Sequence, residues 1–191
     1  MPIISSKGGL SSGGYGQFAY AANLAPTNSY FPIASYTVPA TAQASIIFAG
    51  IPQTFSHLQI RMMAIYTGTV GSGFIAFNGD NASGNYSYHQ LLADGSTTGS
   101  GGLASQNQGK FTGGAGTSPA APNVMVMDIL DYANTNKYKT TRALYSWDSN
   151  GSGYVEFNSN NWRSTSAITS IVLTPANSFA QYTNISIYGV N

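Results

Sequence analysis

The sequence predicts an all-β protein, a jelly-roll-like antiparallel β-sandwich preceded by an extended N-terminal arm. Three observations lead there. From Ala44 onward, short runs rich in Ile, Val, Phe, Tyr and Thr alternate with clusters of Gly, Asn, Asp and Pro. No stretch holds a 3.6-residue apolar period long enough for a helix. Only 7% of the 191 residues are charged, against about 25% in ordinary soluble domains, which excludes bundles and coiled coils built on Glu/Lys/Arg faces. The 42% apolar and 13% aromatic content demands burial and excludes a chain kept unfolded by charge.

Residues 1–43 read as the arm. Ser5 to Gly16 is rich in Gly and Ser, and Pro26, Pro32 and Pro39 follow among aromatic residues. Proline at that spacing opposes long helices and central strands. Aromatic side chains on a segment unable to fold alone dock on another surface, so Tyr15, Phe18, Tyr20, Tyr30 and Phe31 are the candidate partner-binding anchors.

Residues 44–191 read as the sandwich domain, with strands expected near 44–50, 56–66, 73–78, 86–92, 123–131, 138–146, 153–158, 168–174 and 182–189. Leu58, Ile60 and Met62 share one face of their strand, and His57, Gln59 and Arg61 the other. Ile185 and Ile187 similarly oppose Asn184 and Ser186. A weak internal repeat lays Gly71–Asn78 on Gly151–Asn158, carried by its aromatic-aliphatic-x-Phe-Asn ending. The same offset lays 44–50 on 124–130 and 56–66 on 136–146, as two four-stranded halves of a jelly roll would. Between the halves, 94–122 reads as one long Gly-rich loop.

Charge and cysteine content narrow the function. The net charge is +1 and the seven Lys/Arg are scattered singly, so the basic stripe of a nucleic-acid binder is missing. There is no Cys, which removes disulfides, thiolate catalysis and thiolate-bound metals. The start Met1-Pro2-Ile3-Ile4-Ser5-Ser6-Lys7 has no apolar core of a signal peptide. The run Ile46–Ile51 is far shorter than the roughly 20 residues that span a bilayer, so no membrane partner is expected.

Little in the chain suggests catalysis, and neither cofactor nor metal is expected. The closest carboxylates in sequence, Asp128 and Asp131, fall on opposite faces of a strand, and Asp131-Tyr132-Ala133-Asn134 reads as a turn. Gly9-Leu10-Ser11-Ser12-Gly13 has the spacing of a nucleophile elbow but lacks the strand-turn-helix setting that gives the motif meaning. Asp148-Ser149-Asn150-Gly151 lacks most ligands of a calcium loop and reads as a hairpin turn at Asn150-Gly151. His57 and His89 have no acidic cluster in sequence to complete a metal site. Sequons at Asn81, Asn85, Asn150 and Asn184 are ordinary in so Asn- and Ser-rich a chain. Tyr86 with Tyr88, and Tyr145 with Trp147, alternate onto one strand face each and are the candidate glycan-stacking residues. Cross-strand packing is the plainer account of them.

Three blocks resemble small virion proteins of tailed phages of aquatic bacteria, cyanobacteria among them. They are Ile51–Arg61, Met127–Lys139, and the ending from Ile168–Pro175 through Ile187-Tyr188-Gly189. The Gly/Ser-rich leader, with Ser6-Lys7-Gly8-Gly9 and Gly14-Tyr15-Gly16, is similar to leaders of tail-fibre-like proteins. The resemblance implies a non-enzymatic structural protein on the outer surface of a virion, made in the host cytoplasm, and supplies no site residues. The expectation is a capsid decoration or cement protein, a homo-oligomer (a trimer), whose arm clamps neighbouring subunits and whose partners include the major capsid protein. The alternative is a tail fibre or tail-tip adhesin that binds host-surface glycan.

Overall fold

The computed structural model describes residues 29–68 and 71–191. Among them no helix occurs, and the chain forms β1 (Tyr30–Thr37), β2 (Ile46–Ala49), β3 (His57–Ala64), β4 (Gly73–Phe77), β5 (Tyr86–Ala93), β6 (Thr98–Gln106), β7 (Gly109–Thr112), β8 (Asn123–Leu130), β9 (Lys139–Ser149), β10 (Ser152–Trp162), β11 (Ser170–Pro175) and β12 (Asn184–Val190). Two antiparallel sheets pack as a sandwich. One has eight strands in the order β1-β12-β3-β8-β9-β10-β5-β6, the other four in the order β2-β11-β4-β7.

The order contains a jelly roll. With β5-β6 and β9-β10 set aside, the remaining strands form two four-stranded sheets, β1-β12-β3-β8 and β2-β11-β4-β7. The chain crosses between the sheets as β1, β2, β3 and β4 follow one another, then returns through β7, β8, β11 and β12. This is the double Greek key of that architecture. The two remaining hairpins are insertions that widen the first sheet. The matching segments Gly71–Asn78 and Gly151–Asn158 therefore mark no structural halves. The first lies in β4 of the small sheet and the second in an inserted hairpin of the large one.

All nine expected strands form, and the two segments read as irregular contain three more. Tyr30–Thr37, assigned to the arm, is the first strand of the jelly roll and pairs with β12 from Tyr30↔Val190 to Thr37↔Asn184. Pro32 is tolerated because β1 is a sheet edge and the register breaks between Pro32 and Ala34. Within 94–122, the stretch read as a long loop holds β6 and β7. Glycine suits these strands because Gly99 and Gly109 lie under neighbouring side chains, Leu92 and Ile75 respectively.

The core lies between the sheets. Leu58, Ile60, Met62, Met125, Met127, Ile129, Ile185 and Ile187 of the large sheet face Ile46, Phe48, Ile75, Phe77, Ile171 and Leu173 of the small one, all buried. The period-2 alternation dictates this, since each strand offers every second side chain to the interior. Phe77, Tyr86 and Trp162 close one end, with Tyr86 and Trp162 stacked at 6.4 Å. β9 and β10 turn at Asn150-Gly151, both at positive φ (57° and 91°). The two residues lie between the paired Ser149 and Ser152, the geometry of a type I′ hairpin.

Candidate functional site

The outer face of the eight-stranded sheet is the most unusual surface of the described residues. Here the alternation fails to deliver polar side chains to solvent. Met63, Leu91, Val124, Val126, Leu144, Val155 and Phe157 are 44–61% exposed. Register aligns them. Arg61 lies opposite Val126, Val126 opposite Leu144, Leu144 opposite Phe157 and Phe157 opposite Leu91, so one apolar row crosses β8, β9, β10 and β5. A second row runs Met63, Val124, Ser146, Val155, Ala93. Strands about 4.8 Å apart make the first row roughly 14 Å long and the second roughly 19 Å. Together they form an apolar patch of the size, roughly a few hundred Å², that marks interaction sites.

A polar band borders the rows. Gln59 donates Nε2–H to Asp128 Oδ1 at 2.9 Å, Arg61 donates Nε–H to Gln59 Oε1 at 2.8 Å, and Arg142 donates to Asp128 Oδ2 at 3.4 Å. The Arg61 guanidinium also lies over the rings of Tyr30 and Tyr188, at 4.7 and 5.0 Å. Charges on this face are thus bound within the sheet, leaving the apolar rows as its free surface.

The predicted anchors fall in two places. Tyr15, Phe18 and Tyr20 lie outside the described residues. Tyr30 and Phe31 bind their own domain: Tyr30 meets Tyr188 edge to face at 6.4 Å, and Phe31 stacks on Phe55 at 5.5 Å. These contacts have a physical reason, for β1 finds a strand partner in β12 and its aromatics follow it onto the sheet.

The four candidate stacking residues all point to the inside face. Tyr86 is buried, accepting from the Phe77 amide at 2.9 Å and donating to Asp80 O. Tyr145 is buried and donates to Asn123 Oδ1 at 2.9 Å. Burial raises the pKa of both phenols. Neither can stack on a sugar. Tyr88 is half-buried, its ring 5.0 Å from the Lys110 ammonium. Trp147 is half-buried and meets Tyr154 edge to face at 6.1 Å. With Asp94, Pro122 and Asp148 these two rings line an open cleft of ≈ 660 Å³ at the end of the sandwich.

Sequence reasoning missed a buried polar layer under β10. Asn160 accepts the Lys110 amide hydrogen at 2.7 Å and donates Nδ2–H to the Lys110 carbonyl at 2.9 Å, while Asn158 donates to Phe111 O at 3.0 Å. Two side-chain amides thus tie β7 of the small sheet to the large one as a strand would. Beside them Lys110 donates to Gln90 Oε1 at 2.6 Å, and buried Glu156 accepts from the Gly113 amide at 2.7 Å. Burial lowers the Lys110 pKa, and the nearby Glu156 carboxylate opposes that. The spacing Asn158-x-Asn160 on a strand was the available signal.

Other residues singled out from the sequence have local roles. The Asp131 amide donates to His57 Nδ1 at 3.0 Å, and the Asp131 carboxylate pairs with Lys137. Asp148 Oδ1 accepts from the Gly151 amide at 3.1 Å, within the hairpin turn. No group of three or more His, Asp or Glu able to hold a metal ion occurs among the described residues.

No protein-family model matches the chain, and no curated protein matches it significantly.

Proposed function

We propose that this protein is a non-enzymatic structural component of the outer surface of a tailed-phage particle, a capsid decoration or cement protein that seats on its neighbours through the outer face of the eight-stranded sheet. The observation that carries this reading is the pair of apolar rows crossing that face, Val126-Leu144-Phe157-Leu91 and Met63-Val124-Val155. Two rows of half-exposed aliphatic and aromatic side chains gain free energy when a flat partner covers them. The surrounding polar band, already paired within the sheet, resists dehydration less than free charges would. A surface poor in charge and the three blocks resembling virion proteins support the same reading.

The test is the protein's copy number in purified virions of the phage that encodes it, by quantitative mass spectrometry against the major capsid protein. A number comparable to that of the capsid protein is the expected result. Absence from the particle would overturn the reading. Deleting residues 1–28, which lie outside the described residues, tests the arm separately, and loss of incorporation is expected.

A second reading rests on the cleft at Trp147 and Tyr154. Two aromatic rings beside the carboxylates of Asp94 and Asp148 are chemically suited to a saccharide. Adhesion to host-surface glycan, with the tail as its location, would then predict a copy number typical of tail components.

A further inference from the structure

Among the described residues, the four sheet edges differ in how they resist a further strand. β1 carries Pro32 and a break in register, and β2 and β7 have only four residues each, with β7 buried throughout. Short length, proline and irregular register are the usual devices that keep an edge from pairing with another chain. β6 has none of them over Thr98–Leu103. Its pairing with β5 runs without a break from Ala93↔Thr98 to Tyr88↔Leu103. The strand contains no proline and no charged residue, and nearly all of its side chains are exposed.

We propose that β6 is where a second copy of this chain adds, the two β6 strands pairing antiparallel about a two-fold axis so that two eight-stranded sheets become one. Complementarity favours a second copy as the occupant. Pairing centred on Gly101 sets Ser100 opposite Gly102 and Gly99 opposite Leu103, each pair on one face of the joined sheet, with no charge facing a like charge. Small residues leave the backbones free to approach. Leu103, 54% exposed at the edge of its own molecule, gains a covering strand. The backbone amides and carbonyls that β6 turns away from β5 gain partners by the same step. The contact is isologous, so it joins copies in pairs. It holds independently of any role on a particle.

Sedimentation velocity over a concentration series tests this on the full chain, with hydrogen exchange of residues 98–103 as a second readout. The expected result is a reversible dimer whose β6 amides are protected. Ser100→Lys puts a charge on an exposed edge position and is expected to weaken association about ten-fold or more, with an unchanged thermal midpoint. Ser100→Lys with Ala104→Lys gives the stronger version of the same test. Phe157→Ser, on the outer face, is expected to leave the dimer intact. A monomer at all concentrations, a closed trimer, a dimer that survives both lysine variants, or one lost on Phe157→Ser would each overturn the proposal.

Discussion

Trp162 donates its indole N–H to Asp80 Oδ2 at 2.8 Å, joining the end of β10 to the turn between β4 and β5 across 82 residues of chain. The same oxygen accepts from Asn85 Nδ2 at 2.8 Å, and Oδ1 accepts the Ala82 amide at 2.9 Å. One carboxylate thereby fixes both the turn and the inserted hairpin. Asp80→Ala is expected to cost about 1–2 kcal/mol, the scale of hydrogen bonds to a charged group. The thermal midpoint would drop by roughly 5 °C, which calorimetry can measure.

Acid should destabilise the protein through the same group. Burial alone would raise the Asp80 pKa, but the bonds from Trp162, Ala82 and Asn85 outweigh it and hold the carboxyl below its ordinary value. Asp94 is held low by the amides of Thr97 and Ser96, and Asp131 by Lys137. A carboxyl whose pKa is lower folded than unfolded stabilises the fold above its unfolded value, and that contribution is lost as pH falls through the folded one. The thermal midpoint is expected to be level above about pH 5 and to fall below about pH 4. Asp80→Asn would make the fall shallower.

The amide bridge from Asn160 to β7 makes a sharper prediction. Asn160→Leu nearly preserves volume but leaves both the N–H and C=O of Lys110 without those partners in a buried site. Each unsatisfied group costs about 1–3 kcal/mol, so a loss of roughly 2–5 kcal/mol is expected in urea unfolding. An equal loss from Asn161→Leu, the neighbouring position on the opposite face of the strand, would contradict the bridge as its cause.

Leu144 lies between Val126 and Phe157 in the first apolar row and is 52% exposed. Leu144→Asp is expected to change the thermal midpoint by no more than a degree or two, since little burial is lost. On the proposed reading of this face, incorporation into particles, measured by competition with the native protein, should fall at least about ten-fold.

Gly153 has φ of 147°, and a Cβ there would run into the backbone carbonyl of Trp147. Gly153→Ala is expected to destabilise the β9-β10 hairpin, while Gly151→Ala, at φ 91° but with open space around it, should cost less. The comparison of unfolding midpoints separates collision from conformational preference.

The strands of the core were legible because Leu58, Ile60 and Met62, or Ile185 and Ile187, carry the period of two without interruption. β1 was not, because Pro26, Pro32 and Pro39 argue against a strand and only the register break on a sheet edge makes Pro32 acceptable. β6 was not, because Gly99, Gly101 and Gly102 carry no side-chain pattern. The apolar outer face was hidden for a different reason. Val124, Val126 and Leu144 are as apolar as the core residues Met125, Met127 and Ala143 between them, so both faces of these strands read alike. Periodicity says which residues share a face but not which face is inside. Tyr145 and Trp147 accordingly share a face as expected, and it is the inner one.

The pairing of β12 between β1 and β3 has a consequence during synthesis. Ser35 and Ser186, which share a hydrogen bond at 2.9 Å, are 151 residues apart in the chain. Until Asn184–Val190 has left the ribosome, β1 has no neighbour in its sheet among the described residues, and β3 is paired there on one side only. The nascent chain therefore carries these open strand edges while the residues between β1 and β12 are made, an invitation to misassembly between ribosomes on the same message. The bulged, proline-bearing β1 and the charged Arg61 on β3 are the residues that guard those edges while β12 is awaited.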